Sequence, residues 1–600
     1  MSYIVVSDFR VGVDRRRRRI AGSPGSMWEC KNAHVTRGGD VEKRKKFVTK
    51  WSLPAGTFGL KVVDGTGYVF GSLPSAAITP SLPSGTSYQR LASPSTAATA
   101  PSMSRVYSAV RFDGDLYVIA GYDDDNIHHF HAGEHVTDWD DGIVQTWTTA
   151  LSEIAAQIAL RINENTAEKA TATSSGNVIT ITAKVVNLAL NVTAEATNGG
   201  SVTDETVAVS ITTAHGGGTA EVCTVTLGGT LDIGDRFAVT LSPTGFTSYE
   251  YGAGGTPLTK ATVVVPHKSK LYALGSAQDF GSSIVRFCSL DDATSWREGV
   301  DGAGFLNVAT SEEGNLDLHG AAQYQQGMAF FAEDAIQTWS LDADPANNAV
   351  QESMPNTGAL AGGAVVTYGN NDTFYLSRSG IRSLRARDSS NAPFVSDVGN
   401  PIDPLIIARR KSLGTTVTAA SLAWIEPEDG RLCVAMGDRI YVLSHFPGSK
   451  ISAWSWYEPG FSIDAVSVDS GKVYVRSGDT VYLYGGDDGD TYDTDANDMY
   501  EVVVGLPFIA GKRIAHDKTV NAYDAAIVNE WLVEALVDPR NENRKVVLGT
   551  IDEDTYPDQI MPASLTGTTF ALQYTCSTAG AASITNMALH VVEAEPPTSA

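Results

Sequence analysis

A hairpin pattern recurs along this chain of 600 residues. In each copy an apolar stretch leads into a Gly or Asp turn, an alternating strand with Tyr or Phe comes next, and a second turn leads to another strand. Tight hairpins need Gly, Asp or Asn where φ must be positive, so the turns agree with the strands. Such a unit can bury its apolar side chains only by stacking on its neighbours. Six clear copies and one weaker copy occupy 107–130, 262–287, 321–341, 365–384, 421–446, 465–485 and 59–71.

The spacing of the copies predicts a mainly β protein built on a β-propeller-like toroid. Equivalent positions are 58, 44, 58 and 42 residues apart, close to the ~40–50 residues of a propeller blade. The abundance of Gly, with 57 residues, also favours turn-rich β-structure with little helix. The positions taken as equivalent are Tyr272, Phe330, Phe374, Leu432 and Tyr474.

Alternation within the strands predicts one buried and one exposed face. In the first strong copy Leu116, Val118 and Ala120 alternate with Tyr117 and Ile119. Successive side chains of a strand point to opposite faces. We therefore expect one of these two sets in the core and the other in solvent.

The first two strong copies lie too far apart for adjacent blades, which indicates an inserted domain. Tyr117 and Tyr272 are 155 residues apart. Within this gap the spacing of apolar residues predicts a helix over 148–165, started by Thr148 or Thr149 as a cap. A hairpin with a Gly-Asn turn is predicted over 171–186. These elements predict a small α+β module.

The whole chain divides into five predicted regions. A second helix is expected over 401–412, and the hairpin pattern fades into a C-terminal β-sandwich-like domain with a loose final EPPTSA. The regions are a basic N-terminal arm over 1–52, a first part of the propeller over 53–140, an α+β insertion over 141–255, the remainder of the propeller over 256–500 and a C-terminal β domain over 501–600.

Charge is distributed unevenly. The chain has a net charge of −25, but residues 1–50 hold 13 Lys and Arg against 5 acidic residues, or +8, which leaves −33 for the rest. A surface so acidic is unsuited to holding nucleic acid. The five Cys are widely spaced without a C-x-x-C pair, so neither a disulfide framework nor a thiolate metal site is predicted. No signal peptide or membrane span is predicted either.

A series of elements follows in order along the N-terminal region: Gly12, a basic stretch, Pro24, Gly25, Asn32, Gly38, Gly39, Glu42, Lys43 and Arg44. In this order the region resembles the opening of the tail nozzle proteins, also called tail tubular protein B, of short-tailed phages. The closing E-K-R is followed by Lys45 where a Pro often stands. Further similar stretches are SLDDATSW (289–296), SRSGIRSL (377–384) and FVSDVGNPIDPLI (394–406).

The resemblance implies a structural virion protein without enzymatic activity or cofactor. Its members form a hexameric ring, the tail nozzle, which docks on a tail adaptor or tube protein and passes double-stranded DNA without binding it specifically. Tail fibres are a further candidate partner. The implied location is the phage tail, after assembly in the host cytoplasm. An acidic body suits a DNA-ejection conduit because it repels the phosphates of the genome.

The run Arg15, Arg16, Arg17, Arg18 and Arg19 is the candidate assembly contact. Basic runs of this length often mark nucleic-acid contact. Three alternatives stay open from the sequence: a contact with an acidic neighbour or adaptor subunit, a contact with DNA, and a solvated arm. In an extended arm about three of the five side chains could face one partner.

Three other motifs favour structural interpretations. HAGEH (131–135) matches the H-x-x-E-H zinc signature, but it holds a Gly and comes after a strand-like stretch. DTYDTDAND (490–498) begins like a calcium loop yet lacks its later ligands, so a solvated acidic turn is expected. SLDDATSW approaches an Asp-box, a turn stabiliser. No metal or catalytic site is therefore predicted.

A glycan-binding or glycan-degrading propeller of a phage tail is the alternative function. It would require exposed aromatic side chains or a concave pair of carboxylates. The prominent tryptophans are expected to pack between blades instead. They are Trp296, Trp339, Trp424, Trp454 and Trp456.

Overall fold

The structure of the chain is a computed structural model. It describes residues 2–23, 25–78, 80–93, 101–131, 134–135, 150–164, 169–197, 204–231, 235–242, 247–252, 261–275, 282–293, 296, 302–310, 314–369, 372–386, 397–509, 516–555 and 561–593.

Seven antiparallel or mixed sheets of these residues form the blades of a propeller. Blade 1 consists of Phe58–Val63, Thr66–Gly71 and Thr86–Arg90, and blade 2 of Met103–Phe112, Asp115–Tyr122, Ile127–His131 and Glu134–His135. Blade 3 consists of Val263–His267, Lys270–Leu274, Ile284–Phe287 and Gly304–Asn307, and blade 4 of Leu318–Tyr324, Gly327–Ala332, Ala335–Ser340 and Ala349–Pro355. Blade 5 consists of Val365–Tyr368, Asp372–Ser377 and Gly380–Ser383, blade 6 of Ser421–Glu426, Arg431–Met436, Arg439–Phe446 and Ile451–Tyr457, and blade 7 of Ala465–Asp469, Lys472–Ser477, Thr480–Tyr484 and Phe47–Ser52.

The blades close into a ring through their first strands. The first strand of each blade contacts the first strand of the next, and that of blade 7 contacts that of blade 1. The fourth strand of blade 7, Phe47–Ser52, comes from the N-terminal part of the chain and pairs with Thr480–Tyr484. Two distant parts of the chain thus join within one sheet, which fastens the ring.

The repeat prediction is confirmed by the position of each copy. All seven predicted copies fall within the seven blades of the described chain, one copy per blade. The five equivalent positions all lie in the second strand of their blade, as does Tyr117 of blade 2. The mainly β, propeller-like class is therefore correct.

The expectation of one buried and one exposed face is wrong. Leu116 and Val118 pack in a core shared with blade 1, whereas Tyr117 and Ile119 pack in a core shared with blade 3. All four are at most 6% exposed. Each blade lies between two others, so both faces of its central strands are buried.

The insertion has a core of its own. Helix α1, Leu151–Glu164, packs on the hairpin Ala170–Ser175 and Val178–Ala183. The predicted helix and hairpin are both present, while the proposed caps Thr148 and Thr149 lie outside the described residues. The hairpin belongs to a four-stranded sheet with Val222–Gly228 and Thr206–Thr213, and a second sheet contains Asn191–Thr197, Arg236–Ser242 and Thr247–Gly252.

The C-terminal region forms a β-sandwich, as predicted, but N-terminal strands complete it. Its first sheet contains Ala33–Val35, Val41–Lys43, Ser583–Glu593, Lys518–Val528 and Met561–Gly567, with Ser2–Val6 paired to Ser583–Glu593. Its second sheet contains Glu29–Lys31, Val502–Gly505, Ala571–Cys576, Trp531–Leu536 and Lys545–Ile551. The expected final loose stretch lies outside the described residues.

Glu29–Lys31 also joins the sandwich to the propeller. This strand pairs in parallel with Ile451–Tyr457 of blade 6 and antiparallel with Val502–Gly505 of the sandwich. Blade 6 and half of the sandwich thereby form one nine-stranded sheet. One hydrophobic core runs from the interface of blades 5 and 6 into the sandwich. Residues 2–52, expected to be an arm, are instead folded into both parts.

The remaining elements are short. Helix α2, Asp403–Leu413, confirms the second predicted helix and begins after Pro401 as expected. A two-stranded ladder joins Ala309–Thr310 to Gly314–Asn315. Single 3-10 turns are Arg19–Ala21, Ser75–Ala77, Pro345–Asn347, Gly362–Ala364, Asn400–Ile402, Gly414–Val417 and Pro447–Ser449.

Candidate assembly surface

Two of the five consecutive arginines are held inside the protein. Arg15 donates from Nε to the Trp28 carbonyl at 2.6 Å, and its guanidinium carbon lies 4.0 Å from the centroid of the Trp28 ring. Arg19 is 5% exposed, donates from Nε to the Leu506 carbonyl at 3.0 Å and lies 3.5 Å from Glu542. Arg19 therefore fixes the segment to the sandwich, and Arg15 packs on Trp28 of the same segment.

Arg16 is held by a carboxylate of its own segment. Its Nε and one terminal nitrogen donate to the two oxygens of Asp14, at 2.9 and 2.7 Å. Burial raises the pKa of Asp14, but the hydrogen bonds and charge of Arg16 outweigh it and leave that pKa below its usual value. Such a bidentate pair orders the turn that carries the next two arginines.

Arg17 and Arg18 are the remaining exposed members of the run. Within the described chain, neither side chain makes a hydrogen bond or an ion pair. Both precede the 3-10 turn Arg19–Ala21, where Ile20 is 52% exposed. The part of the run that can meet a partner is therefore this pair, with an apolar side chain beside it.

Gly12, the first residue of the N-terminal resemblance, occupies a position that only Gly fits. Its φ is +66°, and a Cβ built on it would lie 2.3 Å from the backbone nitrogen of Trp454. Val13 donates its backbone N–H to the Trp454 carbonyl at 2.9 Å. The segment therefore lies directly against a strand of blade 6.

Asn32 and Arg44 of the resemblance lie together at the join between blade 6 and the sandwich. Arg44 donates from Nε to Oδ1 of Asn32 at 3.0 Å, and this oxygen also accepts the backbone N–H of Glu458 at 2.8 Å. The guanidinium of Arg44 lies 3.8 Å from the centroid of the Tyr500 ring. Burial lowers the pKa of Arg44. Asn32 adopts φ of +55°, which Asn tolerates better than most residues.

Lys43 forms a buried ion pair with the acidic turn of 490–498. Its Nζ donates to both oxygens of Asp493 at 2.7 Å and to the Thr578 carbonyl at 2.8 Å. Both charged side chains are fully buried. Asp493 would be the first ligand if this turn were a calcium loop, and it is instead paired with a lysine.

The rest of that turn is also satisfied internally. Asp498 accepts the backbone N–H groups of Thr494 and Asp495, each at 2.9 Å, and pairs with Lys46. These contacts leave the pKa of Asp498 strongly lowered, with the Lys46 hydrogen bond as the largest cause. The acidic turn is closed by lysines and backbone amides of the chain itself.

The zinc-like motif lies in strands. Ile127–His131 and Glu134–His135 pair antiparallel, with His131 opposite Glu134. The helical geometry that the H-x-x-E-H signature requires is not formed there. No group of three or more His, Cys, Asp or Glu suited to a metal occurs in the residues that the structure describes.

The Asp-box-like stretch packs as a turn. Trp296 is fully buried and donates from Nε1 to the Ala293 carbonyl at 2.7 Å. Of the other prominent tryptophans, Trp424, Trp454 and Trp456 are buried and Trp339 is half-buried. Their packing gives no exposed sugar platform at these positions.

Two of the stretches that resemble tail nozzle proteins, at 377–384 and 394–406, contact each other through Arg382. This side chain, 2% exposed, donates to both oxygens of Asp403 at 2.8 Å and lies 3.3 Å from Asp397. SRSGIRSL of blade 5 is thus tied to the stretch that begins helix α2. Sequence reasoning found both stretches but not their pairing, because nothing in a sequence pattern measures the distance between them.

A cleft beside the N-terminal strand was also not foreseen. Its volume is about 630 Å³, and Val5 and Ile20 are more than half exposed at its walls. One signal was present in the sequence, because Ile20 is an apolar residue that directly follows five arginines. Its lining residues are Ile4, Val5, Val6, Ser7, Asp8, Ile20, Gly22, Ser23, Gly25, Ser26, Leu506, Pro507, Phe508 and Ile509.

Comparisons with known proteins give only distant likenesses. No family model and no curated protein matches the chain. Among solved structures, the WD40 domain of Pan2 from Neurospora crassa is 10% identical with a TM-score of 0.23, covering 42% of this chain and 72% of that one. Apo AztD from Citrobacter koseri is 11% identical with a TM-score of 0.19, covering 66% and 89%. The hemopexin-fold protein CP4 from cow pea is 9% identical with a TM-score of 0.16, covering 39% and 92%. The propeller assignment accordingly rests on the closed order of the blades.

None of the helices in the described part of the chain is both long and apolar enough to cross a membrane.

Proposed function

We propose that this chain is a structural subunit of the tail of a short-tailed phage, a hexameric nozzle that docks on a tail adaptor or tube protein and forms the distal part of the DNA-ejection conduit. The observation that carries the proposal is the place of the resembling N-terminal residues. Gly12, Asn32, Lys43 and Arg44 all lie where the segment contacts blade 6 or the sandwich.

A docking subunit of this kind has to be rigid. A docking subunit must transmit force between its parts without letting them separate. Here the N-terminal segment supplies a strand to the ring and further strands to the sandwich. A motif in such a place would specify the geometry of the subunit rather than bind a partner directly.

Charge supports the role of a conduit. Much of the positive charge of residues 1–50 is neutralised by partners of the same chain, among them Lys43, Lys46 and Lys50 with Asp493, Asp498 and Asp487. The acidic excess of the remaining chain repels a polyanion. DNA would pass such a wall without being retained.

Electron microscopy of the purified full chain, alone and mixed with the tail adaptor, tests the proposal. Class averages of six-fold rings, alone or on the adaptor, are expected. A species that stays monomeric in both samples would contradict the nozzle, and binding of that monomer to capsular polysaccharide would favour the glycan-binding alternative.

The adaptor contact is tested by replacing the exposed Arg17 and Arg18. The double variant R17A/R18A is expected to fold normally and to bind the adaptor at least tenfold more weakly, with less dependence on salt. Deletion of 15–19 would be less informative, because it would also remove the internal contacts of Arg15 and Arg19. R540A/R544A, which changes two other exposed arginines, serves as the matched control. Equal adaptor affinity of both double variants would remove Arg17 and Arg18 from the interface.

A further inference from the structure

The strand Ser2–Val6 has one unused edge. It pairs antiparallel with Ser583–Glu593, with Ile4 opposite Leu589. No other backbone hydrogen bond joins Ser2–Val6 to a residue that the structure describes. The backbone groups of an edge strand offer a ready template for another strand.

This edge borders the cleft beside the N-terminal strand. Ile4, Val5 and Val6 line it together with residues 20–26 and 506–509. At a rise of about 3.3 Å per residue, a strand spacing of about 4.8 Å and a depth of about 10 Å, its volume holds roughly four residues of an added strand. The cleft is thus of a size for an extended peptide, and its lining offers apolar side chains beside polar ones such as Ser7 and Asp8.

Charged and proline side chains, which protect many edge strands, are absent from Ser2–Val6. The strand contains no Lys, no Arg and no Pro, and Val5 is 59% exposed. The exposed edge strand Lys545–Ile551 of the other sheet, by contrast, carries Lys545, whose Nζ lies 3.0 Å from Glu534. Ser2–Val6 is therefore the less protected of these two edges.

Charge identifies the kind of occupant. Asp8 is the charged residue of the lining, and its carboxylate lies 3.2 Å from Nε of Arg10. Arg17 and Arg18 do not line the cleft, but they are exposed and lie three and two residues before Ile20, which does, so they add two positive charges close to it. A second copy pairing through the same edge would bring two such arginine pairs together, and their repulsion opposes it. An acidic peptide from a different protein would be attracted by the two arginines and would avoid the repulsion between two copies.

We propose that Ser2–Val6 and its cleft bind, by strand addition, an extended segment of a different protein that has apolar residues at alternate positions and acidic residues at one end. In this mode main-chain hydrogen bonds provide affinity, and the pockets for alternate side chains provide specificity. The inference stands apart from the nozzle assignment, because it rests on the edge, the cleft and the two arginines alone.

The test uses the full chain and a labelled synthetic heptapeptide with three alternate valines and two aspartates at one end. Fluorescence anisotropy is expected to show saturable binding, and hydrogen exchange is expected to slow at the backbone amides of residues 2–8. A peptide of the same composition plus one central proline is expected to bind at least tenfold more weakly, because proline cannot donate to the ladder.

Three variants locate the site. V5K is expected to weaken binding at least tenfold, and R17E/R18E is expected to weaken it similarly while reversing its preference for acidic over basic peptides. V547K is the matched control, since Val547 is 61% exposed on the other edge strand. It is expected to bind as the unchanged protein does.

The proposal is overturned if the valine-aspartate peptide fails to bind, if V5K binds it as well as V547K does, or if residues 2–8 gain no protection. Concentration-dependent self-association that V5K abolishes would assign the edge to a second copy and would equally overturn the proposal. Formation of six-fold rings is measured separately, so failure here is distinct from failure of the nozzle assignment.

Discussion

The N-terminal segment of residues 2–52 and the insertion of residues 150–252 differ in how they are tied to the rest of the chain. The segment has no core of its own, and its buried residues belong to cores of the sandwich and of blades 5 to 7 and 1. The core of the insertion contains residues of the insertion alone. The segment is expected to fold and unfold with the molecule, whereas the insertion is expected to do so independently.

The comparison also shows two uses of charge. In the segment, cations are buried against carboxylates or aromatic rings, so each buried cation requires its partner group to stay in place. In the insertion, α1 and the hairpin pack through apolar side chains, and a buried acid, Glu221, is paired with His215. Burying an ion pair contributes little net stability, but breaking one costs much, so the segment is the more sensitive to single charge changes.

The largest local effect is expected for I158D. Ile158 is fully buried in α1, and an unpaired carboxylate there costs several kcal/mol, enough to unfold a small module. Limited proteolysis with mass spectrometry is expected to show cleavage within 150–252 while the ring and sandwich stay intact. L160D, on the 49% exposed side of the same helix, is the control. Joint loss of the propeller in I158D would show that the insertion is not independent.

The next effect concerns the buried pair of Lys43 and Asp493. D493A would leave the Lys43 ammonium buried without its carboxylate, which is expected to lower the free energy of unfolding by about 3–5 kcal/mol. Denaturant unfolding followed by tryptophan fluorescence measures it. The double variant K43M/D493L should regain most of this loss. A double variant as unstable as D493A would instead assign the loss to packing.

G12A is expected to destabilise the join by about 2–3 kcal/mol. The substitution puts a side chain at positive φ and forces a Cβ against the Trp454 backbone. The midpoint of urea unfolding measures the change. G448A is the control, because a Cβ at Gly448 meets nothing within 4 Å. Equal midpoints for the two variants would show that the segment does not contact blade 6 so closely.

The smallest effect is on the pH dependence of stability. Burial lowers the pKa of His34 well below 6.5 in the folded state, so the unfolded chain binds a proton that the folded chain does not. This contribution is present above pH about 6.5 and is lost as the pH falls below it, by about 1.4 kcal/mol for each pH unit. H34Q is expected to flatten the unfolding free energy between pH about 5 and about 7, measured by urea titration. The same slope in H34Q and the unchanged protein would place the dependence elsewhere.

The blades were predictable from sequence because the residues that specify each hairpin are close together along the chain. Each hairpin carries its own turn residues and alternation, and the regular spacing implies that the units stack. Helices α1 and α2 were predictable for the same reason, from apolar spacing in α1 and from the proline at the start of α2. Burial of both faces of a strand, as for Leu116 and Tyr117, was not predictable. Alternation of apolar residues is the same whether one or two neighbouring blades cover the strand.

The N-terminal segment shows the opposite case. Its residues Gly12, Asn32, Lys43 and Arg44 stood out by resemblance, yet a basic composition favoured an extended arm. Their partners Trp454, Glu458, Asp493 and Tyr500 lie more than 400 residues further along the chain. No pattern within the segment reports on contacts at that separation.

The sequence by itself determined the repeated hairpins, the interruption by an α+β module and the uneven distribution of charge, since each is a property of neighbouring residues. The tertiary structure decided that blade 7 is completed by Phe47–Ser52 and that Ser2–Val6 ends a sheet beside an open cleft. It also decided that Arg17 and Arg18 are exposed and make no hydrogen bond or ion pair with the residues that the structure describes. These depend on which distant strands pair and on what burial leaves uncovered, and both are settled only when the whole chain is packed.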